Sequence, residues 1–243
     1  MRLDDAVTDI AQGLLELIAP TRCGGCELPG VLVCDTCASN VPLIEQGAAC
    51  PRCGAPEGRA ACAECADVDF AFSSARCASL LGAPLSRIVT VYKDGGERRL
   101  AIPLAGIAAA AVGAVGQGPH SWVLVPVPAS TRAIARRGFD HCERLASALG
   151  TACEMPAERV LLRRGGRDQR GLGREQRRAN VGDAFVVVGE VPRRALLVDD
   201  VVTTGATLDA AARTLLDAGA AEVRAVALAR AVGVCPAPSP PAT

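Results

Sequence analysis

The apolar positions of the chain follow two different periods, which predict both helices and strands. Near the N-terminus five apolar residues recur at helical spacing, Leu3, Val7, Ile10, Leu14 and Leu17. This spacing predicts an amphipathic helix that ends before Pro20. Residues 123–125 and 195–198 are short, continuous apolar runs instead. Such runs are typical of parallel strands that are buried on both faces.

The second half of the chain contains the clearest succession of elements. The run at 195–198 is followed by two aspartates, a Thr- and Gly-rich turn, and apolar residues at helical spacing up to Gly219. Gly219 is a natural helix C-cap, and residues 221–229 form the next apolar run. This order predicts a strand–turn–helix–strand unit. We therefore expect an α/β fold with a parallel sheet, whose ligands bind beyond the carboxyl ends of the strands.

Three further segments are less regular. The sequence "ARCASLLG" (residues 75–82) and the sequence "IVTVYK" (residues 88–93) are interpreted as short strands. Residues 100–118 are mostly Ala and Gly. Because Ala and Gly contribute little transfer free energy, this run is a poor membrane span, and a buried helix is predicted.

Composition limits the class of protein and its organisation. Half of the residues are apolar but only 2% are aromatic, so the core must be built from Ala, Val and Leu. A formal net charge of zero argues against a wholly basic polyanion-binding protein. The N-terminus is acidic almost at once and does not resemble an export signal, so a cytoplasmic protein without membrane insertion is expected. We predict a helix and cysteine-rich module at residues 1–70, an α/β domain at 71–232, and a disordered Pro-rich tail at 233–243.

Eight of the twelve cysteines form four C-x-x-C pairs. The pairs are Cys23 and Cys26, Cys34 and Cys37, Cys50 and Cys53, and Cys62 and Cys65. Disulfides would require an oxidising compartment, and a redox motif would occur once beside a βαβ unit. Four pairs instead predict two structural zinc sites, each with four thiolate ligands. Sequential pairing is the simplest arrangement, and the spacing also allows an interleaved one.

The turn after residue 198 carries the most specific chemistry. It consists of Asp199 and Asp200, two valines, and then Thr203, Thr204, Gly205, Ala206 and Thr207. Threonine hydroxyls and the amides that crowd around a glycine at a helix N-terminus form a phosphate cradle. Two acids beside a phosphate would repel it unless they face the hydroxyl groups of the ligand. A ribose that carries a 5-phosphate satisfies both requirements.

A Walker B motif would also be an apolar run that ends in acid. That motif requires a partner loop with the pattern G-x-x-x-x-G-K-[ST]. The only lysine of the chain, Lys93, follows Tyr92 rather than a glycine. The ATPase interpretation is therefore rejected.

Basic residues are concentrated in two places. Arg132, Arg136 and Arg137 follow the strand at 123–125, and residues 159–178 carry eight arginines with four glycines among them. A glycine-hinged basic loop in a phosphate-handling protein is interpreted as a lid over pyrophosphate. The alternatives are a solvated charged face and a nucleic-acid contact. The lack of aromatic residues in this segment weakens the case for single-strand stacking.

The sequence "LLVDDVVTTGATL" (residues 196–208) resembles the phosphoribosyl-pyrophosphate loop of type I phosphoribosyltransferases. It follows a C-x-x-C module, Tyr92-Lys93, the V-P-V-P segment Val125–Pro128, "RRGFDH" (residues 136–141) and "DQRGLGREQRRAN" (residues 168–180). This order resembles the ComF family of competence-associated phosphoribosyltransferase-like proteins. One departure is Asp140-His141, where that family commonly has Asn-Gln, so no role is transferred from that amide pair.

The resemblance implies a Rossmann-like type I phosphoribosyltransferase domain preceded by a double zinc ribbon. It implies displacement of pyrophosphate from phosphoribosyl pyrophosphate, which binds with Mg²⁺, by an unknown acceptor. Asp199 and Asp200 would fix the ribose and stabilise its positive charge, and Lys93, Arg136 and Arg137 would face the pyrophosphate. Two rival hypotheses are a non-catalytic sensor of the same ligand and a DNA-uptake accessory. The accessory would dock a competence-machinery protein or single-stranded DNA.

Overall fold

The computed structural model describes residues 20–56, 62, 65–66, 68–115, 122–164 and 184–231. The predicted helix at 3–17, residues 165–183 of the arginine- and glycine-rich region, and the Pro-rich tail lie outside the described residues.

A parallel sheet organises the described part of the chain. Its four strands, in the spatial order β1-β6-β5-β2, are β1 (Ala75–Leu80), β2 (Val123–Pro126), β5 (Arg194–Val202) and β6 (Glu222–Arg230). All three strand pairings are parallel. Strands β3 (Leu161–Arg163) and β4 (Phe185–Val187) form a separate antiparallel pair. The predicted α/β class and parallel sheet are confirmed.

Six helices accompany the strands in the described part of the chain. They are α1 (Asp35–Ser39), α2 (Leu85–Lys93), α3 (Ala101–Val115), α4 (Thr131–Arg137), α5 (His141–Cys153) and α6 (Ala206–Asp217). A single 3-10 turn, Arg98–Leu100, leads into α3. Helices α3 and α5 contribute to the core on one face of the sheet, and α6 contributes to the core on the other.

Strand β5 shows why a continuous apolar run was needed. Leu196 and Val198 belong to the core beside α3 and α5, whereas Ala195 and Leu197 belong to the core beside α6. Successive side chains of a strand point to opposite faces. The strand is therefore buried on both sides, as its sequence predicted.

Helix α3 confirms the prediction of a buried helix in the Ala- and Gly-rich run. Its buried residues recur every three or four positions, Ala101, Leu104, Ala105, Ala108 and Ala111. This small-residue face packs against α5 and the sheet. By length and composition alone, Arg98–Val115 would also suffice to cross a membrane. In the structure 39% of this stretch is buried, along the face that packs against α5 and the sheet.

The prediction of a strand at residues 88–93 was wrong, because these residues belong to α2. The β-branched residues favoured a strand in the sequence. However, Leu85, Ile88, Val89 and Tyr92 are the buried residues of α2, at the spacing of one helical face. Burial of that face against the core outweighs the local preference.

Candidate functional site

The candidate site lies where β2 leaves the sheet. β2 pairs with β5 only as far as Val198, and the amide of Val127 donates to the Val198 carbonyl at 2.9 Å. β5 continues through Asp199 and Asp200 to Val202, because β6 still supplies ladder partners. The sequence interpretation ended this strand at residue 198, and the structure extends it by four residues. The two aspartates therefore occupy a part of the strand that β2 does not cover.

Asp200 is buried and surrounded by cationic or hydrogen-bonding groups. The Nζ atom of Lys93 lies 2.5 Å from its Oδ2 atom, and the Nε2 atom of His141 lies 3.5 Å from the same oxygen. Burial alone would raise the pKa of this carboxyl. The hydrogen bond with His141 and the charge of Lys93 outweigh burial and hold the pKa of Asp200 below its usual range. Asp200 is therefore ionised at neutral pH.

Asp199 has the opposite character. Its Oδ1 atom accepts the backbone N–H of Asp200 at 2.9 Å and the thiol of Cys142 at 3.5 Å. Burial and the adjacent negative charge of Asp200 raise the pKa of Asp199 to about 7. Two neighbouring carboxyls in one site thus differ in protonation, because only one of them has a cationic partner at close range.

Lys93 is held in place by the residue before it. It is the last residue of α2, and the hydroxyl of the fully buried Tyr92 donates to the carbonyl of His141 at 2.6 Å. This bond ties the C-terminal end of α2 to the N-terminal end of α5. The side chain of Lys93 remains 23% exposed, so it can reach a ligand in the cleft without unfolding the helix.

The segment "RRGFDH" forms the connection between α4 and α5. Gly138 ends α4 with a positive φ of 74°, a conformation that favours glycine. The Asp140 carboxylate caps α5 and accepts three backbone N–H groups, at 2.9 to 3.3 Å. The same connection leaves Arg137 and His141 adjacent, with Nη1 of the arginine 3.2 Å from Nδ1 of the histidine. Asp140 therefore positions the helix that carries His141.

A cleft of about 260 Å³ lies between β5, α2 and the α4–α5 connection. Its walls include Lys93, Ser130, Arg137, His141, Cys142, Arg163, Asp199, Asp200 and Thr207. Of the two arginines predicted for the pyrophosphate side, Arg137 lines this cleft. Arg136 does not, because its side chain is 69% exposed and lies 3.3 Å from Asp94.

The predicted phosphate loop connects β5 to α6 beside this cleft. Thr203 and Thr204 are exposed, and the loop surrounds a hollow of about 30 Å³ that adjoins Asp199. Gly205 has a φ of 80°, and α6 begins with Ala206. Since the first amides of a helix have no partner within it, they are available to an anion at this end. The loop thus presents hydroxyl and amide donors together at one end of α6.

A larger cavity, of about 520 Å³, lies between the first turns of α3 and α5. Its lining includes Arg98, Ile102, Phe139 and Arg144, and none of the phosphate-loop residues. Size alone therefore does not identify the site. The smaller cleft is the one that joins two carboxylates, three cationic side chains and the threonine loop.

The described cysteines of the four pairs fall into two compact sets. The sulfur atoms of Cys23, Cys26, Cys34 and Cys37 lie within 4.8 Å of one another, as do those of Cys50, Cys53, Cys62 and Cys65. This grouping is the sequential one of the two that the spacing allowed. Four sulfur donors at such distances suit a tetrahedral zinc ion. Burial alone would raise the pKa of the Cys23 thiol. Several backbone N–H donors outweigh burial and lower this pKa to about 6, which favours the thiolate form that binds metal.

Two features of the site were missed by sequence reasoning. Phe70 packs against the second cysteine set and stacks on Phe72 with the ring centroids 4.6 Å apart. A Cβ atom at Gly205 would lie 3.1 Å from the ring of Phe70. The Phe70 ring therefore packs directly against the loop at Gly205. Cys142, which belongs to none of the four C-x-x-C pairs, has its thiol 3.5 Å from Asp199. Neither contact has a signal in the local sequence, since both join distant segments.

Comparison with known proteins agrees with this geometry. A family model described as a phosphoribosyl transferase domain matches residues 133–236. DNA utilization protein YhgH of Salmonella typhi is 31% identical over 230 residues, which are 88% of this chain and 99% of that protein. Competence protein F of Haemophilus influenzae is 36% identical over 114 residues, which are 44% of this chain and 50% of that protein. Competence protein ComFC of Streptococcus pneumoniae is 32% identical over 110 residues, 44% of this chain and 47% of that protein.

The first of these relatives aligns along nearly all of its length, and the family model covers the phosphate loop and the residues from α4 onward. The parallel sheet with an N-terminal four-cysteine cluster fits an α/β type I phosphoribosyltransferase domain with a zinc-ribbon-like module. The chain belongs to the ComF family of phosphoribosyltransferase-like proteins.

Proposed function

We propose that this chain binds phosphoribosyl pyrophosphate together with Mg²⁺ and transfers the phosphoribosyl group to an acceptor, in a process linked to DNA uptake. The observation that carries the proposal is the junction of Asp199 and Asp200 with the Thr203–Thr207 loop at the edge of one cleft. The link to DNA uptake rests on the names of the relatives, which are competence and DNA utilization proteins.

The loop would hold the 5-phosphate, and the carboxylates would hold the ribose. A phosphate at the N-terminal end of α6 would meet backbone N–H groups and the hydroxyls of Thr203 and Thr204. The carboxylate of Asp200 would accept a ribose hydroxyl once Lys93 moves off it. Charged acceptors form the stronger class of hydrogen bond, so the carboxylates contribute both affinity and orientation.

The pyrophosphate would face the cationic side of the cleft. Lys93 and Arg137 line that wall, and Lys93 is partly exposed. Mg²⁺ takes hard oxygen ligands, and Asp199 and Asp200 would place negative charge beside an ion held by the ribose and pyrophosphate oxygens, so the site fits this ion. When bound, Mg²⁺ would neutralise the pyrophosphate oxygens as the leaving group departs. The carboxylates would at the same time stabilise positive charge on the ribose.

A second candidate function, ligand sensing without turnover, is favoured by the contacts of His141. Its Nδ1 atom faces Arg137 at 3.2 Å, and its Nε2 atom faces Asp200 at 3.5 Å. Both nitrogens are thus engaged, which leaves the imidazole poorly placed to take a proton from an acceptor. A sensor would bind phosphoribosyl pyrophosphate and release no pyrophosphate.

Calorimetric titration of Mg²⁺ and phosphoribosyl pyrophosphate into the zinc-loaded full chain tests the proposal. We expect binding by the wild type and its loss in Asp199→Asn/Asp200→Asn. Asp217→Asn, an exposed carboxylate on α6, is the matched control and should bind normally. Absence of binding by the folded wild type would refute both the transferase and the sensor. Pyrophosphate release with candidate acceptors then separates these two.

A matched pair of arginines tests the pyrophosphate side. Arg137→Gln removes a cation that lines the cleft, so we expect about 10- to 100-fold weaker binding, the usual effect of losing one charge-assisted hydrogen bond. Arg136→Gln removes an exposed cation next to Asp94 and should change affinity less than about threefold. Equal effects of the two variants would contradict the assigned orientation of the ligand.

A further inference from the structure

Three potential metal ligands converge in the candidate site, outside the two cysteine sets, and His141 contacts two of them. The Sγ atom of Cys142 lies 3.5 Å from Nε2 of His141 and 3.5 Å from Oδ1 of Asp199. The Nε2 atom of His141 lies 3.5 Å from Oδ2 of Asp200. The metal-ligating atoms of Cys142, Asp199 and Asp200 all lie within 4.8 Å of one another. Cys142, His141 and Asp200 are buried.

These distances match the edges of a tetrahedral coordination sphere. Zinc binds sulfur at about 2.3 Å and nitrogen or oxygen at about 2.0–2.2 Å, so adjacent ligand atoms are about 3.3–3.6 Å apart in a tetrahedron. The same reasoning places two sulfur ligands about 3.8 Å apart. Sulfur pairs in the cysteine sets, Cys26 with Cys34, Cys50 with Cys65 and Cys53 with Cys62, are 3.5 to 3.7 Å apart. The 3.5 Å contacts of the cluster at Cys142 are therefore as short as the sulfur–sulfur contacts of the sets predicted to hold zinc.

We propose that His141, Cys142, Asp199 and Asp200 form a third metal site, for a divalent cation of the zinc class. An imidazole and a thiolate select such a cation over Mg²⁺, which prefers oxygen ligands alone. The site already attracts a cation, because the Lys93 ammonium lies 2.5 Å from Asp200. The incoming metal displaces that ammonium toward solvent, and the Cys142 thiol releases its proton to water as it becomes a ligand.

Metal at this site excludes the ribose. This consequence rests on the proposed function, because it requires that the ribose hydroxyls bind Asp199 and Asp200. A metal ion that takes oxygens from both carboxylates leaves them unable to accept those hydroxyls in the same geometry. A zinc-class cation would thus act as an inhibitor that competes with phosphoribosyl pyrophosphate.

Cobalt titration of the full chain, already loaded with two equivalents of zinc, tests the site directly. Co²⁺ is the probe, because a thiolate ligand gives it a charge-transfer absorption band. We expect a third equivalent of metal with that band in the wild type, and its loss in Cys142→Ala. His141→Ala should weaken binding at least tenfold. Cys153→Ala, a partly buried cysteine at the other end of α5, is the control and should behave as the wild type.

Three results would overturn the site: no third equivalent in the wild type, a band that persists in Cys142→Ala, or loss of the band in Cys153→Ala. The first would mean that the cluster is a hydrogen-bonded network only. If Cys142→Ala does not fold, the number of metal equivalents bound by the wild type and the metal affinity of His141→Ala still test the site. Addition of phosphoribosyl pyrophosphate with Mg²⁺ should abolish the band. A band that forms and then persists despite saturating ligand refutes the competition alone, whereas binding of the ligand without any band refutes the metal site alone.

Discussion

Replacing Asp199 by asparagine should stabilise the protein while it abolishes ligand binding. The carboxylate of Asp199 is buried next to the ionised Asp200, and no described cation lies as close to it as Lys93 lies to Asp200. An amide of the same size keeps an oxygen that can accept the N–H of Asp200, now at 2.9 Å, and carries no charge. The substitution therefore removes electrostatic repulsion without opening a cavity.

The magnitude follows from the raised pKa. A pKa shift from 3.8 to about 7 corresponds to about 4 kcal/mol of unfavourable free energy for the ionised form, at about 1.4 kcal/mol per unit. The asparagine must itself be desolvated, which offsets about 1–3 kcal/mol of the gain. We expect a net stabilisation of about 1–3 kcal/mol at pH 8.

The effect should depend on pH with a definite sign. Between about pH 4 and pH 7 the folded state holds a proton on Asp199 that the unfolded state has lost. Stability contributed by this group therefore decreases as pH rises through that window. The advantage of Asp199→Asn should be about 1 kcal/mol larger at pH 8 than at pH 6.

Urea unfolding of the zinc-loaded wild type and variants at these two pH values is the measurement. Asp217→Asn is the control, and its free energy of unfolding should lie within about 0.5 kcal/mol of the wild type. Asp200→Asn should be destabilised by about 1–3 kcal/mol, because it leaves Lys93 without its partner. The reasoning is refuted if Asp199→Asn is no more stable than the wild type at pH 8, or if its advantage is the same at both pH values.

Two further predictions concern the backbone of the site. Gly205→Ala should cost about 2–3 kcal/mol in the free energy of unfolding and weaken ligand binding, since it adds a close contact with Phe70 to the strain of a positive φ. Gly96→Ala, with φ of 74° and open space around it, should cost only about 1 kcal/mol; equal losses in urea unfolding would exclude a role for Phe70. Asp140→Ala removes a cap that accepts three amides and should destabilise by about 2 kcal/mol, against about 1 kcal/mol or less for the one-amide cap in Ser130→Ala. Equal melting temperatures for these two variants would contradict the capping role of Asp140.

The sequence predicted the parts of the fold that depend on local pattern and turn chemistry. Residues 195–198 were assigned to a strand buried on both faces because every side chain in the run is apolar, and β5 has that burial. The helix after Gly205 was predicted from its spacing and from Gly219, and α6 ends at Asp217. The strand predicted at residues 88–93 was wrong, because these β-branched residues form a helix that is stabilised by burial of one face. The local sequence pattern does not indicate that burial.

The site was predictable in its loop and less so in its surroundings. Asp199, Asp200 and the threonine turn form one contiguous motif, so their proximity needs no knowledge of the fold. The ion pair of Asp200 with Lys93 joins residues that are more than a hundred positions apart, and the contact of Asp199 with Cys142 joins residues 57 positions apart. These contacts depend on how α2 and α5 pack at the end of β2, which the motif alone does not specify.

The ion pair and the raised pKa together resolve the apparent conflict between an acidic pair and a phosphate cradle. In the free protein Lys93 compensates the charge of Asp200, and burial keeps Asp199 protonated for part of the time near neutral pH. The cleft therefore repels an anion far less than two free carboxylates would. A ligand that draws Lys93 toward its own phosphates releases Asp200 at the same moment to accept a hydroxyl group. An anion without hydroxyl groups would also attract Lys93, but it would offer Asp200 no hydrogen-bond donor in return. The buried carboxylate of Asp200 would then lack its cationic partner, which is unfavourable. Asp200 therefore favours binding of a sugar phosphate over inorganic phosphate.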